Sequence, residues 1–257
     1  MAKVSIRALD DTSREGSDGA ETRVYFDRDD EPIHLRLHDL ARGARLRIGP
    51  LPADCAVYVW EGGVEAGGES LAAGSSVVVE RGAALDVVGA EAASRLVAFA
   101  GAHAPAEVKA GGHVHLLPRD RVRRTDNLAG SGTKGALHAD ASCPTCALWL
   151  HESSMKAPDP AAPPRGDGGI HAHTEDEVIF VTAGELRFGT QHCGPGVAVA
   201  IAADTFYSFT PGPEGLSFVN FRAGLPDVVR FKGGAEVDEN SYWRDLGPPD
   251  YLAPRAA

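Results

Sequence analysis

Apolar residues come in short runs along this chain, and polar punctuation separates them. The runs are CAVYVW (55–60), SSVVVE (75–80), SRLVAFAG (94–101), DEVIFVTAG (176–184), GVAVAIA (196–202) and LSFVNFRAG (216–224). Each is rich in Val, Ile and Phe and is bounded by Gly, Pro or Asp, the mark of strands joined by turns. Apolar residues rarely recur at helical spacing, and the runs are too short for ordinary helices. The pattern predicts an all-β protein.

The runs also repeat. The segment Cys55–Gly101 aligns without a gap to the segment beginning at Glu177, at a constant offset of 122 residues. Ala56-Val57-Tyr58-Val59 falls on Val178-Ile179-Phe180-Val181, Val97 on Val219 and Phe99 on Phe221. Apolar matches arise easily between any two strands. More telling are Gly62 and Gly74, which fall on Gly184 and Gly196, because a turn demands glycine for a backbone reason. Two tandem copies of one β-domain follow, roughly 20–105 and 136–225. The implied organisation is an N-terminal domain to residue 105, a linker 106–135, a C-terminal domain 136–225, and a tail 226–257 packing on the barrels.

The second copy carries the chemistry. His171 and His173 in HAHTEDEVIFVTAG are two apart, so in a strand they share a face, and Glu177 keeps the same parity. Two imidazoles and a carboxylate on one face form a three-ligand site with open positions, which suits Fe(II) among divalent metals. The other HxH, His113 and His115, has Arg119 at the position of the carboxylate and reads as structural or surface.

HxHxxxE followed by a glycine resembles the first motif of the cupin superfamily. Gly196 stands where the second motif opens, but Ala202, Asp204, Tyr207 and Pro211 stand where that motif has Pro, Gly, His and Asn. The resemblance covers the second domain and, through the repeat, the first. It implies a bicupin of two tandem double-stranded β-helix (jelly-roll) barrels, with a metal at His171, His173 and Glu177. Tyr207 takes the place of the fourth ligand, and three roles stay open for it: metal ligand, hydrogen-bond donor or general acid/base toward substrate beside a three-ligand metal, and filler of the barrel. Apolar neighbours Phe206 and Phe209 would raise a phenol pKa, which favours the second role. In the first copy Gly49, Leu51, Cys55 and Leu85 occupy the ligand positions, so that barrel is expected to be metal-free and structural.

Other residues change the picture less. His151 has the parity of Trp149, and Asn220 and Arg222 share a strand face, so all three are candidate substrate contacts, Arg222 for a carboxylate. Cys143 and Cys146 form a lone CxxC, a weak zinc signal that His138 and His151 would complete. A pair of buried thiols is the plainer reading. His192 and Cys193 read as an exposed turn, and 157–169 reads as a loop. Arg119, Arg121, Arg123 and Arg124 suit a connector or an interdomain salt-bridge strip.

Composition narrows the class. The 257 residues carry a net charge of −11, which argues against nucleic acid and anionic membrane as partners. There is no 18-residue apolar run and no secretory signal, and four cysteines make no disulfide framework, so a cytoplasmic protein is expected. The functional expectation is a cupin enzyme acting on a small organic molecule with one divalent transition metal, Fe(II) first, then Zn, Mn, Ni or Co. Dioxygenase chemistry using O2 leads. Alternatives are a non-redox lyase or isomerase using metal or Tyr207, and a non-enzymatic ligand-binding or scaffold bicupin. A monomer or a homodimer fits.

Overall fold

A computed structural model describes residues 3–17, 19–28, 31–103, 109–159, 161, 169–252 and 255–256. Among them the chain is all-β, with strands and a few short 3-10 turns and no α-helix. Among the described residues no helix is long and apolar enough to cross a membrane. Most of the 157–169 loop lies outside the described residues.

The repeat governs the fold strand by strand. Cys55–Glu61 lies between Ser76–Val79 and Ala93–Gly101, and Glu177–Phe188 lies between Ala198–Ile201 and Thr210–Arg222. Registers repeat as well. Cys55 faces Val79 and Ala100, while Glu177 faces Ile201 and Arg222. The matched glycines have a common cause. Gly62 and Gly184 adopt φ of +70° and +71°, and a Cβ on either would stand 2.3 Å from the carbonyl oxygen of Ala93 or Gly215. No other residue suits both the positive φ and the close approach.

Alternation then sorts the side chains. Ala56, Tyr58, Val97 and Phe99 meet Val178, Phe180, Val219 and Phe221 in one core shared by both copies. Cys55, Val57 and Val59 point the other way and fill the first barrel. Ile179 and Val181 do so in the second, where Glu177 shares their face. Trp60 donates its indole N–H to the carbonyl of Thr182 at 3.2 Å, and Tyr25 donates to Gly196 at 2.6 Å, both across the copies.

The copies also exchange strands. Val4–Arg7, ahead of the first copy, pairs with Ala198–Ile201 of the second. His113–Leu117, from the stretch read as a linker, pairs with Ser76–Val79 of the first. Arg121 and Arg124 of the basic run bind Asp250 and Glu152.

Several local readings need correction. Cys193 ends the strand Gln191–Cys193 and is buried, because it pairs with Leu186 and packs in the second barrel. Phe206 is 51% exposed, whereas Phe209 stacks on Tyr207. Cys143 and Cys146 are joined in a disulfide rather than standing as two thiols. His115 is buried, as its structural reading had it, but a carboxylate does reach it: Glu80, which follows the neighbouring strand Ser76–Val79.

Candidate active site

His171, His173, Glu177, Tyr207, His151, Asn220 and Arg222 line one cavity of about 140 Å³ in the second barrel. Backbone pairing explains the convergence. His171 and Tyr207 bond each other's main chain in both directions, at 3.0 and 2.9 Å, and their rings lie 4.6 Å apart. The strand Glu177–Phe188 sets Ile179 opposite Asn220 and Glu177 opposite Arg222. His171–His173 is itself clamped by the tail strand Val228–Phe231.

The tail adds a residue that the motifs do not contain. Asp238 caps a 3-10 turn by accepting from Asn240 N–H. That turn delivers the buried Glu239, whose Oε2 accepts from His173 Nδ1 at 2.9 Å. His171 Nδ1 likewise donates to the carbonyl of Gly169 at 3.0 Å. Both rings are thus oriented by an oxygen acceptor on Nδ1, the outer-shell arrangement that leaves Nε2 for a metal.

Around them runs a buried charge network. Asn220 Nδ2 donates to Glu177 Oε2 at 2.7 Å. Arg222 bonds Glu239 closely through Nη1, while its Nη2 reaches Glu177 Oε2 at 3.4 Å and His173 Nε2 at 3.3 Å. Glu177 Oε1 is buried with no hydrogen-bond partner and stands 4.0 Å from His173 Nε2. An orphaned carboxylate oxygen facing an imidazole lone pair is costly unless something positive lies between them. The donor set therefore fits a divalent ion in tautomer, charge and open valence. Its competitor is Arg222, which reaches His173 Nε2 at 3.3 Å and the other Glu177 oxygen, Oε2, at 3.4 Å.

Burial dominates the titration of the surrounding groups. It pushes the Tyr207 phenol well above its ordinary range, and the Glu177 charge pushes it further. It lowers His171, and takes His151 to about 3, where Arg222 adds to the effect. Burial alone would raise Glu177 and Glu239. For Glu177, His173 and Arg222 more than offset it; for Glu239, Arg222 and His173 do. Trp149 Nε1 donates to His151 Nδ1 at 3.1 Å, so the proton of that ring sits on Nε2.

The first barrel has a smaller cavity at the matching place, about 110 Å³, lined in part by Gly49, Leu51, Cys55, Ala98 and Ala100. Gly49, Leu51 and Cys55 stand there in place of His171, His173 and Glu177, while Asp27, His34, Arg36 and His38 also line the cavity, and burial lifts the Cys55 thiol to about 12.

No protein-family model and no curated protein matches the chain. Solved structures do. Oxalate decarboxylase from Lactobacillus farciminis, as its formate complex, superposes with a TM-score of 0.66 at 11% identity, covering 95% of this chain and 90% of that one. Protein Ylba from E. coli gives 0.63 at 14%, covering 86% and 90%. A point variant of Bacillus subtilis oxalate decarboxylase gives 0.64 at 12%, covering 94% and 81%.

The fold is the cupin fold, present twice.

At these identities the likeness is one of cupin architecture. The candidate site rests on the geometry of this chain's own residues. Glu239, which sequence reasoning missed, lies outside both cupin motifs and reaches the site on the 3-10 turn that Asp238 caps.

Proposed function

We propose that the second barrel is the active site of a divalent-metal-dependent enzyme acting on a small anionic organic molecule. One observation carries this reading: His171 and His173 both commit Nδ1 to an oxygen acceptor, and the orphaned Glu177 Oε1 faces the free side of His173. His171, His173 and Glu177 would hold the ion, which would supply Lewis acidity to a substrate oxygen. Glu177 and Glu239 against Arg222 leave one negative charge, so a divalent ion turns the site positive and favours an anion. Two of the fold neighbours are oxalate decarboxylases, which lends support to a small carboxylate as substrate class.

The chain's own groups handle the proton. Tyr207 Oη keeps its proton at neutral pH, directs it at the Glu177 carboxylate, whose charge favours that protonated state, and would turn it toward a bound substrate. Asn220 holds Glu177 in place, and His151 Nε2–H offers a further donor to substrate. Arg222 sets the charge of the site through Glu239, and that bond leaves it less free to take a substrate carboxylate itself. A protonated phenol of this kind favours non-redox lyase or isomerase chemistry. The two-histidine, one-carboxylate donor set favours the second reading, Fe(II)-dependent dioxygenation.

Elemental analysis of protein purified without added metal tests the first step, with about one transition ion bound at this site per chain as the expected result. Turnover of a panel of small carboxylates, followed with an oxygen electrode, separates the two chemistries. Tyr207→Phe should retain the metal and lose about 10²–10⁴-fold in rate. Loss of the ion in that variant would make Tyr207 a ligand instead.

A further inference from the structure

A second cluster of metal-binding side chains lies away from the cupin site, where the two copies join. Glu80 follows the strand Ser76–Val79 of the first barrel. His115 sits on the exchanged strand His113–Leu117. Cys143 and Cys146 belong to the turn that leads into Trp149–Met155 of the second copy. The ligand atoms of these four residues all lie within 4.8 Å of one another, and all four residues are buried. Among the described residues no other group of three or more His, Cys, Asp and Glu gathers so closely, and the ligands of the cupin site are more widely spread.

The cluster is supported from outside. His113 donates to Glu80 Oε2 through its backbone N–H at 2.9 Å, and its ring Nδ1 lies 3.0 Å from the same oxygen. Thr145 donates its hydroxyl to Glu80 Oε1. The amide of Cys146 donates to Cys143 Sγ at 3.1 Å, an orientation that favours a thiolate at that sulfur. His115 Nε2 is 2.6 Å from Glu80 Oε1 and 3.9 Å from Cys143 Sγ. Bonds of about 2.3 Å to sulfur and about 2.0–2.1 Å to nitrogen or oxygen set tetrahedral edges of roughly 3.3–3.8 Å. The spacing from sulfur to imidazole is already close to such an edge, and the His115–Glu80 hydrogen bond at 2.6 Å is the contact that opens to admit an ion.

We propose that Cys143, Cys146, His115 and Glu80 form a closed four-ligand zinc site when the cysteine pair is reduced. A thiol or phosphine reductant delivers two electrons to the disulfide and breaks the S–S bond, and two protons complete the thiols. Zinc binding then releases those protons as the thiolates form. The metal and the disulfide are mutually exclusive states of one cluster. With four protein ligands and no open valence the site is structural. It ties the first barrel, the exchanged strand and the entry to the second copy together at one point. His138 and His151, the nearest histidines in sequence, are committed elsewhere, to Ser76 and to the cupin cavity.

Cobalt(II) titration of the full chain tests this. The background is His171→Ala/His173→Ala, which removes the cupin ligands, and the sample is metal-free and phosphine-reduced, with four thiols titrating per unfolded chain. The expected result is one cobalt per chain with a near-ultraviolet thiolate-to-cobalt charge-transfer band, displaced by zinc. Cys143→Ser should abolish the band. His115→Gln, which keeps both thiols, should weaken binding at least about 10-fold. Absence of the band in the reduced protein, or a band that survives Cys143→Ser, would overturn the proposal.

Discussion

Phe99 stacks on Phe221, with ring centroids 5.3 Å apart and 17° between the planes. The two are equivalent residues of the repeat, so each copy meets its own counterpart across a pseudo-two-fold axis. Trp60 and Thr182, also equivalents 122 residues apart, bond near the same axis. The copies therefore pack as an isologous dimer inside one chain.

This relationship predicts coupling. Phe99→Leu and Phe221→Leu should each cost about 1–2 kcal/mol in urea unfolding. The double variant should cost less than the sum by about 0.5–1.5 kcal/mol, the worth of the aromatic pair beyond its buried area. Strict additivity would mean that the rings do not depend on each other.

Glu239→Gln probes the outer shell of the cupin site. The amide keeps an oxygen for His173 Nδ1 but removes the charge that anchors Arg222. Metal affinity at His171, His173 and Glu177 should fall about 10–100-fold in competition with a chelator. Unchanged affinity would show that His173 needs no help from the tail.

Stability should fall on mild acidification. Burial holds His151 at about 3 and His38 at about 4 in the folded chain, against 6.5 for a free side chain. Below about pH 6.5 the unfolded chain takes up protons that the folded one refuses, so folding weakens as pH drops toward those values. At pH 5 each histidine costs about 2 kcal/mol relative to pH 7. Urea midpoints at the two pH values measure the loss, and His38→Gln should remove its own share. A flat profile would contradict the burial of these rings in neutral form.

Strands and the repeat were legible in the sequence because alternation and turn glycines are local. Gly62 and Gly184 declare themselves through a backbone constraint that no other residue meets. His171, His173 and Glu177 were legible for the same reason, lying on one face within seven residues of chain. Glu239 was not, since it meets His173 across 66 positions. The cluster at Cys143 fails likewise: its carboxylate lies 65 residues before Thr145, just past the adjoining strand, whereas sequence parity looked for it at Arg119.

The exchange of edge strands has a consequence for any attempt to take the protein apart. Val4–Arg7 completes the far barrel, and His113–Leu117 completes the near one. A cut between the copies, ahead of His113, would leave each of these strands on the wrong fragment and bare a sheet edge on both halves, an invitation to aggregate. Co-expressed fragments could heal only by reassembling, which makes the pair a natural split-protein system rather than two separable modules.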